Sequence, residues 1–222
     1  MDVVELEYSM TVCDCSAVDN FFDPRKATRE LKKFRKHGAP RWTREMLAAI
    51  EKASLPQGAT LLDIGGGVGA IHHHLLDKGF SYATQIDAAK AYLDAAKDEA
   101  ERLGHVGRVS FLHGSFHDLV ETVPEVDVVT LDRVVCCDPD FRSMLGGAAS
   151  RARRLVGFTY PRSRVVVRWM IAALNLFEHT FGTGFRAYVH EPHEMAAVLE
   201  HSGLKRLWAG GTWMWAAEVF ER

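Results

Sequence analysis

Residues 61–70 read Leu-Leu-Asp-Ile-Gly-Gly-Gly-Val-Gly-Ala, the stretch of this 222-residue chain best suited to hold a ligand. An apolar run stops at glycines, and a pattern that suits a helix starts at Ala70. Glycine lets the backbone turn tightly and lets a bound group approach it closely. Gly65, Gly67 and Ala70 satisfy the G-x-G-x-x-(G/A) spacing, in which a helix N-terminus faces the ligand. Gly66 and Gly69 extend the bare stretch. Asp63 stands two residues ahead of the first glycine, and Asp87 closes the next apolar run. A carboxylate at that second place can take both hydroxyls of a ribose. The competing reading is a tight strand–helix turn with no ligand at all.

Asp63 separates two cofactor classes. A dinucleotide brings a pyrophosphate, which wants a positive helix end with no carboxylate facing it. S-adenosylmethionine brings an ammonium and a sulfonium, and a carboxylate suits those cations, directly or through backbone and water. Asp87, with Ala88 beside it, supports either class.

The surrounding pattern alternates strand and helix. Short apolar runs at 59–64, 81–87, 108–113, 127–131 and 155–160 read as buried strands, with helices expected over 70–78, 88–103 and 141–154. That alternation argues for βαβ units around a parallel sheet. Pro192 to His201 reads as a helix. The runs Leu204–Ala209 and Thr212–Phe220, with Gly210-Gly211 between them, read as a hairpin. Ahead of the sheet, Asp23-Pro24 marks a capped helix stopped by Gly38, and a second helix starts at Thr43, with Trp42 placed to staple onto Leu47. The organisation expected is a helical cover over 1–58 and a ligand-binding domain over 59–222.

These residues resemble the class I S-adenosylmethionine-dependent methyltransferases. The likeness runs from Ala59 to the C-terminus and rests on Asp63-x-Gly65-x-Gly67-x-Gly69, Ile86-Asp87, Phe111-Leu-His-Gly-Ser115-Phe116, Asp127-Val-Val-Thr-Leu-Asp132-Arg133 and the final hairpin. It implies a Rossmann-like α/β fold, a seven-stranded mostly parallel sheet with an antiparallel C-terminal hairpin strand and helices on both faces. It also implies S-adenosylmethionine as cofactor and S-adenosylhomocysteine as product. By the resemblance the glycine loop holds the methionine moiety, Asp87 the ribose, and Ser115 with Phe116 the adenine; Asp132 and Arg133 lie beside the methyl group. Relatives carry an acid where Ser115 stands, so adenine recognition departs from the pattern here. Asn20-Phe21-Phe22-Asp23 and Arg186-Ala-Tyr188-Val-His190 are similar to the magnesium-protoporphyrin O-methyltransferase branch. That likeness places Phe22 or Phe21 over the cofactor, with plain core packing as the alternative.

Tyr188 and His190 are the candidate bases, with His117 and His179 behind them. Arg162, at the carboxyl end of the fifth strand, and Arg186 are candidate substrate anchors. His72-His73-His74 cannot converge on one metal ion from consecutive helical positions, and are expected to be at the surface or partly buried. Cys13, Cys15, Cys136 and Cys137 lack zinc-loop spacing, so no metal is expected.

The chain carries 27 basic and 29 acidic residues, and a net charge of −2 gives no push toward nucleic acid. Its cations are nonetheless clustered. Nine stand between Pro24 and Arg44 against one acid, Glu30, and six more between Arg151 and Arg168. An acidic start and the absence of a spanning apolar run favour a cytoplasmic protein, its oligomeric state open. The expected activity is in-line methylation of a small acceptor, at an oxygen of an anionic or aromatic molecule. A nicotinamide-dependent oxidoreductase and a non-catalytic S-adenosylmethionine-binding regulator are the alternatives.

Overall fold

The computed structural model describes residues 15–222. Seven strands, β1 Thr60–Ile64, β2 Tyr82–Asp87, β3 Val109–His113, β4 Val126–Asp132, β5 Ala152–Pro161, β6 Lys205–Gly211 and β7 Trp215–Glu221, form one sheet. Their order is β3-β2-β1-β4-β5-β7-β6, and only β7 runs against its neighbours. The helices are α1 Cys15–Phe21, α2 Pro24–His37, α3 Arg41–Lys52, α4 Ala70–Asp77, α5 Lys90–Leu103, α6 Phe116–Leu119, α7 Phe141–Arg151, α8 Val165–Phe181 and α9 Pro192–His201.

Period-two alternation along the strands feeds two cores. Leu62, Val129, Val156 and Phe220 face α7 and α9, meeting Phe141, Leu145, Met195 and Leu199. Leu61, Val128, Leu155 and Val219 face the other way, onto Met46, Leu47 and Ile50 of α3 and Ile71 and Leu75 of α4. Apolar burial at roughly 25 cal/mol per Å² drives both layers. A smaller cluster, with Ala27, Val68, Ala89 and Tyr92 at its centre, seats α2 on the glycine turn and α5. Chain direction from β1 goes out to β2 on one side and β4 on the other. The carboxyl edge between them is the crevice where open α/β sheets bind ligands.

Local signals account for most boundaries. Asp23 caps α2, accepting from the Lys26 N–H at 2.7 Å, and Gly38 ends it at φ 71°. Other boundaries differ from expectation. The stretch 15–21 forms α1 without strong periodicity; its Asp19 accepts from the Lys90 N–H at 2.8 Å, at the start of α5. Helix α3 starts at Arg41 behind Pro40, so Trp42 lies within it and stacks on Trp215, rather than stapling a cap. Strand β5 begins at Ala152, three residues early, because Val126 of β4 pairs with it there. Gly210 and Gly211 belong to β6 and pair with Ala217 and Ala216, and the hairpin turns over 212–214.

The histidine run is a clearer correction. His72 and His73 are buried at 0% and 1% exposure; only His74, bonded to Glu51, reaches the surface. Successive helix positions diverge by about 100°. His72 therefore points to Asp63, and His73 to His105, whose Nδ1 lies 3.1 Å away. Cys13 lies outside the described residues.

Burial, with His72 and His105 as neighbours, holds His73 down at about 3. A free histidine sits near 6.5, so the unfolded chain binds the extra proton between those values. This contribution to stability is complete above pH 6.5 and is lost as pH falls toward 3. His73→Leu should flatten the acid limb of a denaturant-midpoint series between pH 7.5 and 5 by on the order of 2 kcal/mol relative to wild type. Parallel limbs in the two proteins would refute the assignment.

Candidate functional site

The loop between β1 and α4 bends through three left-handed glycines, Gly65, Gly67 and Gly69, at φ 60°, 58° and 87°. At Gly65 a β-carbon would overlap Val134, and at Gly66 it would fall 2.6 Å from the Asp63 carboxylate. Side chains are excluded from both faces of the loop. Asp87 fastens it: Oδ2 accepts from the Gly67 N–H at 2.9 Å, and Oδ1 from the Ala89 N–H at 2.8 Å. Gln85 donates to the Gly67 carbonyl from the same strand. Burial lifts the Asp87 carboxyl to about 6, against the pull of the two N–H groups, with Asp63 adding to the rise.

A cavity of about 320 Å³ opens beside this loop, within the range of small-molecule sites. Gly65, Gly67, Ile86, Asp87, Ala88 and Tyr92 form one end. Gly114, Ser115 and Phe116 form a side wall, where the Ser115 hydroxyl accepts from the His117 N–H and caps α6. Asp132, Arg133 and Val134 form the floor at the end of β4. The roof comes from both ends of the chain: Val18, Phe21 and Phe22 of the N-terminal cover, and Ile171, Leu174 and Phe185 from α8 and the segment after it. Phe21 stacks on Phe185 at 4.2 Å and Phe22 meets Tyr92 edge-on at 5.5 Å.

The floor is tightly determined. Asp132 accepts from Thr43 of α3 at 2.8 Å and from Thr159 of β5 at 2.6 Å. Thr159 in turn accepts from the Arg133 N–H. Burial raises the Asp132 carboxyl above its ordinary range. Arg133 has φ 62°, the only left-handed residue other than glycine among the described residues. Such a conformation costs about 1–3 kcal/mol and persists where surroundings over-determine it. Its guanidinium lies 3.5 Å from Glu30 and 3.9 Å from Asp132.

Eleven of the sixteen candidate residues thus meet at the cavity: Gly65, Gly67, Asp87, Ala88, Ser115, Phe116, Asp132, Arg133 and Phe22 line it, while Gly66 and Gly69 complete its loop. Five stand elsewhere. Asp63 is fully buried beneath the loop, accepting from Thr130 at 2.8 Å and paired with His72 at 3.2 Å, so it supports the turn from below and does not line the cavity. Arg162 spends its guanidinium on the carbonyls of Thr212 and Gly210, bracing the hairpin. Arg186 is exposed outside the cavity. His190 donates to the carbonyls of Val135 and Asp138, and burial lowers its affinity for a proton. Tyr188 pairs its backbone N–H with the Cys136 carbonyl. Both hold the turn that follows β4, and neither ring lines the cavity.

The second basic cluster is also largely engaged: Arg151, Arg153 and Arg168 pair with Glu121, Glu125 and Glu191. Sequence reasoning missed Thr43 and gave Glu30 no role. The isolation of Glu30 among nine cations was the available signal for it; Thr43, on a remote helix, carried none.

Residues 61–154 match the family model described as "Methyltransferase domain". This stretch is a methyltransferase domain. Such domains draw their methyl group from S-adenosylmethionine, and the dinucleotide reading of the glycines gives way. The fold recurs in a magnesium protoporphyrin IX methyltransferase from Synechocystis PCC 6803, solved with S-adenosylhomocysteine bound. Identity is 18% over 94% of this chain and 100% of that one, with a TM-score of 0.68. An O-methyltransferase family protein from Burkholderia thailandensis aligns at 17% identity over 90% of this chain and 60% of its own, TM-score 0.68. The [4+2]-cyclase SpnF aligns at 14% over 81% and 80%, TM-score 0.63. Among curated proteins, none matches the chain in sequence.

The site suits this cofactor. Bare backbone, the Asp87 carboxylate lining the cavity and a second carboxylate under the loop suit a cationic nucleoside better than a pyrophosphate. Because Asp87 binds a proton near pH 6, S-adenosylhomocysteine affinity should fall about tenfold per pH unit below that point. Asp87→Asn should weaken binding at least ~10-fold and remove the pH dependence, read by calorimetry. Wild-type affinity in that variant would remove Asp87 from the ribose.

Proposed function

We propose that this methyltransferase domain acts on a small, largely apolar acceptor at an oxygen atom, with the acceptor lying under the roof of α1 and α8. The observation that supports the reading is the shape of one cavity. Its glycine end suits the cofactor, and its other end is walled by Phe21, Ile171, Leu174, Phe185 and Trp215. Asp132 lines the same cavity and offers a carboxylate to an acceptor there.

S-adenosylmethionine supplies a methyl group on a positively charged sulfur. The chain's part is to align the acceptor and keep water out, which can account for up to roughly 7–11 kcal/mol of a barrier. A hydroxyl or phenol acceptor must lose a proton. Asp132 is the group placed to take it, since Thr43 and Thr159 fix its carboxylate and burial raises its proton affinity. His190 and Tyr188, the bases expected from sequence, do not reach the cavity. An anionic carboxylate acceptor would need no base, and Arg133 is the cation nearest to it.

A second reading rests on the cyclase relative, in which the same fold carries a different reaction. Radiolabelled methyl transfer to a panel of phenols and aromatic carboxylates separates them. Turnover on any member supports the methyltransferase, whereas S-adenosylhomocysteine binding without turnover across the panel supports the second reading. With an active phenol in hand, Asp132→Asn should lower kcat by about 100-fold, the usual weight of a general base, and leave S-adenosylhomocysteine affinity within about threefold. Unchanged kcat would show that Asp132 moves no proton.

A further inference from the structure

The outer face of α8 has no role in the cofactor site. Val165, Val166, Trp169, Leu176, Phe177 and Phe181 are each more than half exposed on it, and only Val167 and Glu178 of its 17 residues are buried. Scattered apolar side chains at a surface are ordinary, but a contiguous aromatic and aliphatic face marks an interaction site.

Charge narrows the partner. Between residues 162 and 186 the chain has four arginines and one carboxylate. That carboxylate, Glu178, is buried and accepts from the N–H and hydroxyl of Thr183. Arg164 and Arg186 are exposed near the apolar face, and Arg168, also exposed, is paired with Glu191. Helix α2 presents Arg25, Arg29, Lys32, Lys33 and Lys36 to solvent, while its one acid, Glu30, lines the cavity and faces Arg133. Both elements border the cavity: α2 contributes Glu30, with Phe21 of α1 and Phe22 just ahead of it, and α8 contributes Ile171 and Leu174. A second copy of the chain docked on this face would set cations against cations. An anionic surface would not.

We propose that α8 lies in the headgroup layer of an anionic phospholipid bilayer, with the cavity mouth turned toward the membrane. At 1.5 Å per residue the helix is about 25 Å long, and no helix of the described residues is long and apolar enough to cross a membrane. A helix with Trp and Phe on one side and arginines beside them lies in the interface plane instead of spanning it. In that position the mouth between α1 and α8 opens onto the acyl region, and an apolar acceptor passes from lipid to cavity without crossing water.

Flotation of the full chain with defined vesicles tests the docking without reference to any acceptor. Phosphatidylcholine vesicles containing phosphatidylglycerol should carry at least ~10-fold more protein than phosphatidylcholine alone, and high salt should reduce the difference. The combined variant Trp169→Ser, Phe177→Ser, Phe181→Ser should lose about tenfold or more of this binding, yet keep S-adenosylhomocysteine affinity within about twofold, since none of the three touches the cavity. Three results would overturn the proposal: wild type that does not float, a correctly folded variant that floats equally, or a wild-type dimer that the substitutions dissociate while vesicles capture nothing.

Discussion

Two carboxylates hold one loop, and the rest of the site takes its position from them. Asp63 lies under the glycine turn, fixed by Thr130 and His72, at a distance that no side chain on Gly66 could tolerate. Asp87 grips the same turn from the side through the Gly67 N–H and ties it to the start of α5. Like charges so close in a buried setting oppose one another, and the raised proton affinity of Asp87 records that opposition together with its burial. The arrangement is stable while the loop's N–H groups absorb the charge. A cationic ligand relieves it further, so the empty loop is electrostatically biased toward the ligand it takes.

The far side of the cavity depends on a different device. β7 enters the sheet antiparallel to β5 and brings Trp215 opposite Pro161, where it stacks on Trp42 of α3. Helix α3 is thereby held against one face of the sheet, with Thr43 in its first turn donating to Asp132 at the end of β4. Tyr160 donates to Glu218 across the same strand pair. The antiparallel strand therefore acts beyond its own edge: it positions a helix that positions a carboxylate, through contacts about 170 residues apart in sequence.

Features written in short windows of sequence were legible, and features made by distant partners were not. The glycine turn, Asp87, the Asp23-Pro24 start of α2 and the alternating strands carry local signatures that the structure reproduces. The candidate residues nearest those signatures, from Gly65 to Arg133, fall at the cavity for the same reason. Arg162 is signalled by its place at a strand end, and Tyr188 and His190 by residue type and the Arg186–His190 likeness, but none of these says which way a side chain turns: Arg162 and His190 turn to backbone carbonyls. The burial of His72 and His73 was invisible because their partners, Asp63 and His105, come from other elements. Gly210 and Gly211 resemble a turn by composition, yet the pairing of β6 with β7 carries through them.

The roof over the cavity is assembled from few pieces. On the N-terminal side it consists of α1 and one turn of α2, held by the Phe21–Phe185 stack, the Asp19 contact with Lys90 and the Lys26 ammonium over the Phe21 ring. The N-terminal partners in these contacts lie within residues 19–26, but Lys90 comes from α5 and Phe185 from the segment after α8, whereas the cofactor end draws on strands from the whole first half of the sheet. The end of the cavity proposed for the acceptor is therefore shared between two distant tracts, residues 18–22 and 171–215, with the cofactor end encoded between them. Under the proposed function, a change of acceptor would call for matched substitutions in both tracts, while the residues that hold the methyl donor could stay as they are.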